Sequence, residues 1–260
     1  METEKEYHAR SKSGEYISSH MLATFRECPR QYYDTIHSKA EQEETTAFRI
    51  GRAVHKVVLE GLAEFDRCYA VGGPINEKTG NPFGLGTAVN RAWFKETGKE
   101  NYLTADESLY VMNLYSHVLN HPVARKLLSG GEAEKIFRVD SLLGVDLKCQ
   151  AKIDYLSTAI VDLKTCDNLK YFESDFKRLG YGYQMAFYRD MVVETLKDPM
   201  WPVYVVAVEK DIPFRVGVWE LTADFLLPFS RANKDCMISL KSCRGSGKWP
   251  TGYEEVRRMA

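Results

Sequence analysis

The stretch Ala151-Lys-Ile-Asp154-Tyr-Leu-Ser-Thr-Ala-Ile-Val-Asp162-Leu-Lys164-Thr places two aspartates and a lysine where a tight hairpin brings them onto one face. Carboxylates held at hydrogen-bonding range repel one another and raise each other's pKa unless a cation lies between them. The segment Ile160-Val161-Asp162-Leu163-Lys164 is otherwise apolar and has little structural reason to carry these charges. The economical explanation is a divalent cation held by two carboxylates with a lysine beside it, which is the equipment for hydrolysing a phosphodiester.

The geometry follows from the turn. If Ser157-Thr158-Ala159 is a three-residue hairpin loop, Leu156 pairs with Ile160 and Asp154 falls opposite Asp162. The two-residue period of a strand then puts Asp162 and Lys164 on one face, with Val161 and Leu163 on the other. Three functional groups converge within about 5–7 Å. Two carboxylates on Mg²⁺ or Mn²⁺ can hold a scissile phosphate, and the ammonium can orient or help deprotonate the attacking water. The competing structural reading is a cross-strand salt bridge on a solvated sheet face.

The elements that must carry this hairpin are legible on either side of it. Residues 1–16 are polar and read as a flexible N-terminus. Ile17 to Cys28 reads as a helix with Met21, Leu22 and Phe25 at helical spacing, and Cys28-Pro29-Arg30-Gln-Tyr32-Tyr33 continues as an aromatic helical segment. Phe48 to Tyr69 reads as one helix with Ile50, Val54, Val57, Val58, Leu62 and Phe65 as its buried stripe. Val71 to Gly86 is a loop rich in Gly, Pro and Asn, either a DNA-facing flap or a surface insertion. Thr104-Ala-Asp-Glu107 is a capping box before a helix through Val118, and a shorter helix covers Pro122 to Leu128.

After Gly130-Gly131 the period changes. Glu134–Val139, Val145–Leu156 and Ile160–Thr165 read as three strands, Phe176–Leu196 as a helix, Val203–Val208 and Phe214–Trp219 as two more strands, and Leu226–Leu240 as a closing helix. The expected fold class is α/β: a mixed central sheet flanked by helices, with an N-terminal helical extension. The chain divides into the N-terminus 1–16 and a single domain 17–260. Within that domain 17–130 are helical, 131–220 hold the sheet, and 221–260 form the closing helix and tail.

With 260 residues, 44% hydrophobic and 12% aromatic, the chain has enough apolar content for a sizeable core and is not a disordered one. No apolar run reaches bilayer length and the charged start cannot act as a secretion signal, so a soluble, cytoplasmic protein is expected. Six scattered cysteines without CxxC spacing fit reduced thiols. The net charge of −1 does not advertise a nucleic-acid partner, but its distribution is uneven. Arg231, Lys234, Lys241, Arg244 and Lys248 stand against Asp235 alone between Arg231 and Pro250, whereas Glu41-Gln-Glu-Glu44 is acidic. A solvated helix face is the plain reading of the basic run. Among the arginines, Arg26, Arg30 and Arg52 are the candidates for holding a terminal 5′-phosphate, since a guanidinium fork matches its oxygens, and a plain surface arginine is the other reading of each. Tyr32, Tyr33, Phe83, Trp93 and Trp249 are aromatics available for stacking on a DNA end or for the core.

Asp154 followed by Asp162-Leu163-Lys164 resembles the PD-(D/E)xK nuclease signature. Gly51-Arg-Ala-Val-His55 is similar to the GxxxH element of its RecB-like branch, Ala133-Glu134 to the acidic position of the first strand, and Gln184-Met-Ala-Phe-Tyr188 to the QxxxY element. Cys28-Pro-Arg, His121-Pro-Val-Ala, Asp162-Leu-Lys-Thr165 and Gly180-Tyr-Gly-Tyr-Gln-Met-Ala-Phe-Tyr188 resemble the exodeoxyribonuclease VIII (RecE-type) phage and prophage family, from about Ile17 to Tyr253. The resemblance implies that Asp154, Asp162 and the Leu163 carbonyl bind one metal ion. It also implies that Glu134 and His55 complete or tune a second site, and that Lys164 attends the water. Gln184 and Tyr188, one turn apart, would line the active site.

What the resemblance implies for activity is a Mg²⁺-dependent exonuclease, with Mn²⁺ substituting, that degrades duplex DNA 5′ to 3′. The 3′ tails would pass to a RecT-like single-strand annealing protein, and the enzyme would be a ring-shaped homo-oligomer in the bacterial host cytoplasm. Two other readings stay open: a structure-specific or single-strand nuclease of the CRISPR-associated RecB-like type, and a catalytically silent DNA-binding subunit. A related subgroup holds an iron–sulfur cluster on four cysteines. Here Cys28, Cys236 and Cys243 leave it one ligand short, so none is expected.

Overall fold

The computed structural model describes residues 4–38, 45–84, 86–256 and 258, so the acidic run Glu41–Glu44 lies outside the described residues. The N-terminal half is helical: α1 (Glu4–Lys12), α2 (Ser19–Glu27), α3 (Pro29–His37), α4 (Thr46–His55) running into a π turn (Lys56–Glu60), and α5 (Leu62–Cys68). Strand β1 (Tyr69–Val71), α6 (Ala88–Thr97), β2 (Asn101–Leu103), α7 (Ala105–Asn120) and α8 (Pro122–Leu127) follow. The remainder is β3 (Glu132–Val139), β4 (Cys149–Leu156), β5 (Ile160–Cys166), α9 (Phe172–Arg178), α10 (Tyr181–Leu196), β6 (Val203–Glu209), β7 (Val216–Leu221) and α11 (Ala223–Ser246).

Five strands form one sheet in the order β3-β4-β5-β6-β7, with β5 and β6 parallel and every other pair antiparallel. A parallel pair needs a long crossover, and α9 and α10 supply it. Alternation along the central strands divides the core. Ile160, Val203, Val205 and Ala207 pack with Met185, Phe187 and Met191 of α10 and with Leu240 of α11. On the opposite face Val161, Leu163, Val206 and Val208 pack with Ile50 and Val54 of α4 and with Val111 and Leu114 of α7. The expected α/β class, a mixed sheet flanked by helices, is the observed architecture. Among the described residues no helix is long and apolar enough to cross a membrane.

Several segments depart from the sequence reading. Residues 1–16, read as loose, include helix α1, which is docked through its polar side. Gln150 of β4, fully buried, donates to the Tyr7 carbonyl at 2.9 Å and to Ser11 Oγ at 2.8 Å. A buried amide must find partners, and α1 provides them. The single helix read over Phe48–Tyr69 is broken at Gly61, whose φ of +88° is outside the helical range. Phe176–Leu196 is likewise two helices, with Gly180 in the left-handed conformation between them. The strand read from Val145 begins only at Cys149, because Leu142 and Val145 close a turn. The Val71–Gly86 loop leaves β1, which pairs in parallel with β2 and so ties the insertion to the helical layer. The capping box at Thr104 and Glu107 is formed in both directions, as its spacing predicts.

Candidate active site

Strands β4 and β5 pair only at Tyr155↔Val161 and Leu156↔Ile160, the register that the Ser157–Ala159 turn predicts. Beyond that point the backbone ladder stops at Asp154 and Asp162. The Leu163 N–H donates instead to Asp154 Oδ2 at 2.9 Å, so a carboxylate occupies the gap between the two strands. On β3, Glu134 stands opposite Asp154 in the register but is missing from the ladder, and its φ is +55°. A non-glycine residue in that region is strained, and such strain gathers at functional sites. Helix α4 brings His55 from the other side, with Nδ1 at 3.5 Å from Asp154 Oδ2. The Leu163 backbone lies beside the same imidazole and raises its pKa.

The ligand atoms of His55, Glu134 and Asp154 all lie within 4.8 Å of one another. Asp162 stands apart from this trio. Its side chain is 1% exposed, and Lys164 Nζ lies 2.6 Å from its Oδ2. Both residues point from the same face of β5 toward α10, where the Lys164 ammonium also sits 4.9 Å from the Tyr181 ring centroid. Asp162 is paired with Lys164, two residues on and on the same face, and lies close enough to Asp154 for that charge to raise its pKa.

The electrostatics are those of charges buried together. Burial raises the Asp162 pKa to about 6, with Lys164 pulling it down and Asp154 pushing it up. Asp154 is raised by burial against the pull of Lys164. Glu134 is also raised by burial, with Lys152 opposing. Burial lowers the His55 pKa and the Lys164 charge lowers it further, so the imidazole is neutral and keeps a lone pair for a ligand. Lys164 itself is depressed by burial, but Asp162 and Asp154 outweigh that and hold it above the ordinary lysine value.

A divalent cation fits this site. Both carboxylate oxygens of Asp162 are buried without an aligned hydrogen-bond donor, and the Lys164 ammonium supplies charge without saturating them. The neighbouring donors are two carboxylates, an imidazole and a backbone carbonyl, a set dominated by hard oxygen.

Gln184 and Tyr188 share the site-facing side of α10. Gln184 Nε2 donates to the Tyr188 hydroxyl at 2.9 Å. Burial raises the Tyr188 pKa far above its ordinary value and the Asp154 and Asp162 charges add to it, so the phenol keeps its proton. Gly182 lets this helix approach α11, since a Cβ there would stand 2.6 Å from the Phe229 ring. Gly51, one turn before His55, faces Thr165 of β5 with room for a methyl group, so α4 lies close to the sheet there.

The three arginines have separate fates. Arg26 is part-buried between helices, donating to Asn233 Oδ1 at 2.5 Å and stacked 3.8 Å from the Tyr183 ring centroid. Arg30 is on the surface in an i,i+4 pair with Asp34. Only Arg52, on α4, shares an element with a member of the carboxylate cluster. Of the aromatics, Tyr32 is wholly buried and stacks on Trp249. All six cysteines are free thiols, and Cys28 Sγ caps α3 by accepting from the Gln31 N–H.

Lys152 is the site residue that the sequence reading missed. It forms an ion pair with Glu134 and lies two residues before Asp154 on β4, a spacing that puts both on one face. Tyr181, beneath Lys164, was hidden by reading α9 and α10 as one helix.

Residues 18–259 match a family described as a PDDEXK-like domain of unknown function (DUF3799). The fold is similar to the crystal structure of a candidate exonuclease from Eubacterium rectale, with a TM-score of 0.69 over 100% of this chain and 96% of that one. Identity across that superposition is 15%, so the likeness carries the fold alone. No curated protein matches the chain.

Proposed function

The chain belongs to the PDDEXK-like family DUF3799, and from that premise we propose that it is a divalent-metal-dependent deoxyribonuclease that degrades linear duplex DNA from its ends. The observation that carries the reading is the meeting of Asp154, Glu134 and His55 beside the buried Asp162–Lys164 pair. Asp154, Glu134 and His55, with Asp162 and the Leu163 carbonyl next to them, would hold Mg²⁺ or Mn²⁺. The ion's chemistry is to polarise the scissile phosphate and to lower the pKa of the attacking water.

The chain's own groups divide the remaining work. Lys164, kept charged by Asp162 and Asp154, presents an ammonium to the phosphate and orients the water, and does not act as a base at neutral pH. Neutral His55 offers a lone pair. Tyr188 keeps its proton and can donate it in a hydrogen bond to an anionic oxygen, while the Gln184 amide fixes the phenol in place. The Leu163 N–H orients Asp154.

A 5′-to-3′ direction, 3′ single-stranded tails for a RecT-like annealing protein, and a ring-shaped homo-oligomer complete the proposal. They rest on the resemblance of the Asp154, Asp162, Lys164 and Gln184 motifs to the RecE-type exonucleases. A ring is compatible with a net charge of −1, because basic surface need only line its channel.

Digestion of linear duplex labelled at the 5′ or the 3′ end, with and without Mg²⁺, tests activity, cofactor and polarity together. Metal-dependent release of the 5′ label first, with covalently closed circular duplex left intact, is the expected result. Cleavage of the circle or of single strands alone would replace this reading by that of a structure-specific or single-strand nuclease.

A further inference from the structure

The Lys164 ammonium has a second neighbour besides Asp162, and it is an aromatic face. Nζ lies 4.9 Å from the Tyr181 ring centroid as well as 2.6 Å from Asp162 Oδ2. The lysine side chain is 14% exposed, so both contacts are made largely out of water. A cation over a ring is attracted by the negative face of the π system, and most strongly where the two are desolvated.

Tyr181 is held in place for this contact. It is the first residue of α10, and Gly180 before it has a φ of +71°, the left-handed turn that separates α9 from α10. Phe176 of α9, itself buried, meets the Tyr181 ring edge to face with the centroids 5.7 Å apart. Tyr181, Gln184 and Tyr188 are spaced i, i+3, i+7, so one stripe of α10 carries all three. Gln184 and Tyr188 are hydrogen-bonded to each other, and Tyr181 is the member of the stripe that meets the lysine.

A ring suits this position better than a second acceptor would. A lysine side chain has large rotamer freedom, and a single ion pair fixes its end only in part. Another carboxylate or carbonyl would fix it further but would consume one of the ammonium's three N–H donors. A ring face attracts the charge without claiming a donor in a directed hydrogen bond, and so leaves the remaining N–H groups for water and phosphate oxygen. We propose that Tyr181 is a positioning residue of the reaction: its ring face, together with Asp162, holds the Lys164 ammonium where it meets the water and the scissile phosphate. The proposal rests on the nuclease reading for what the ammonium acts upon.

The test separates the ring's electrostatics from its bulk. With Mg²⁺ and 5′-labelled linear duplex, Tyr181→Leu should lose about 10- to 30-fold in kcat. KM should stay nearly unchanged, because the loss falls on the transition state. Tyr181→Phe restores the face and should recover most of the rate. Phenylalanines bearing successive ring fluorines at position 181 keep the shape while weakening the negative face, so kcat should fall with each fluorine. A level kcat across that series would overturn the proposal even if the leucine variant failed to fold. A second measurement needs no activity. In metal-free protein labelled with carbon-13 lysine, the Lys164 ε-methylene signal, identified by its loss in Lys164→Ala, should lie upfield of the other lysines. In Tyr181→Leu it should return to the ordinary position. An ordinary shift in the wild type overturns the contact whether or not the protein cuts. An upfield signal in a wild type that does not cut removes the nuclease reading, and with it the reaction that Tyr181 would serve, while the lysine–ring contact stands.

Discussion

Asp154 Oδ2 accepts the backbone N–H of Leu163 at 2.9 Å, so that a side chain on one strand takes the place of a ladder acceptor on its neighbour. One carboxylate thus has two tasks: it satisfies a buried N–H at the point where β4 and β5 separate, and it meets His55 and Glu134. The structural and chemical roles of Asp154 can be separated by substitution.

Asp154→Asn keeps an acceptor for the Leu163 N–H and loses the charge, whereas Asp154→Ala loses both. Both variants should be inactive. The alanine variant should also be less stable than the asparagine variant by about 1–3 kcal/mol, the cost of leaving a buried donor unsatisfied. Urea unfolding midpoints of the two, compared with DNA digestion, check this. Equal stability would mean that the hydrogen bond contributes nothing to the hairpin.

Lys164→Ala should bind DNA and release almost no nucleotides. It also leaves Asp162 buried without its cation, and the Asp162 pKa, already about 6, rises further. A carboxylate whose folded pKa exceeds its ordinary value of 3.8 contributes stability at low pH that is lost as pH rises through the folded pKa. The variant should therefore be destabilised most at pH 8, by about 3–5 kcal/mol, and recover part of the loss toward pH 5. Thermal melts across that range decide it, and an unchanged pH profile would count against the pairing.

Mg²⁺ or Mn²⁺ at about 100 times its dissociation constant should stabilise the wild type by about 2.7 kcal/mol. For a chain of this size that is a rise in Tm of roughly 5–10 °C. Glu134→Ala and His55→Ala should abolish most of the rise. Protons compete for Asp162, Asp154 and Glu134, all raised by burial, so affinity should fall as pH drops through about 6. Differential scanning fluorimetry with a metal titration at pH 5.5 and 7.5 measures both effects.

Helix α1 should be worth keeping. Deleting residues 1–12 strips Gln150 Nε2 of the Tyr7 carbonyl and Ser11 Oγ and uncovers a buried amide. A loss of about 2–4 kcal/mol is expected from two broken buried hydrogen bonds. Gln150→Leu in the truncated chain should restore part of it, because an apolar side chain needs no partners. Unfolding midpoints of the three proteins test the docking, and a truncation without effect would return the segment to the loose tail that its composition suggests.

The hairpin was legible because everything that makes it is local. A turn of Ser157-Thr158-Ala159 sets the Leu156↔Ile160 register, and a two-residue period then places Asp162 with Lys164. The capping box at Thr104 was legible for the same reason, its two hydrogen bonds spanning three residues. Helix boundaries inside long apolar runs were not. Gly61 and Gly180 break helices across which the hydrophobic stripe continues, and one glycine weighs little in a pattern of many residues.

By itself the sequence determined the chemical inventory: the carboxylates, the lysine, the imidazole, and the faces on which strand and helix periods put them. Tertiary structure alone decided who meets whom. It grouped Asp154 with Glu134 and His55 and gave Asp162 to Lys164. It turned the backbone of Glu134 to φ +55° and brought Lys152 to that residue. It buried Arg26 between helices while gathering Arg49, Arg52 and Arg91 into one cleft. The physical reason is range. Dihedral preferences and side-chain periods act over a few residues and are written into neighbouring positions, whereas ion pairing and burial depend on which distant segments pack together.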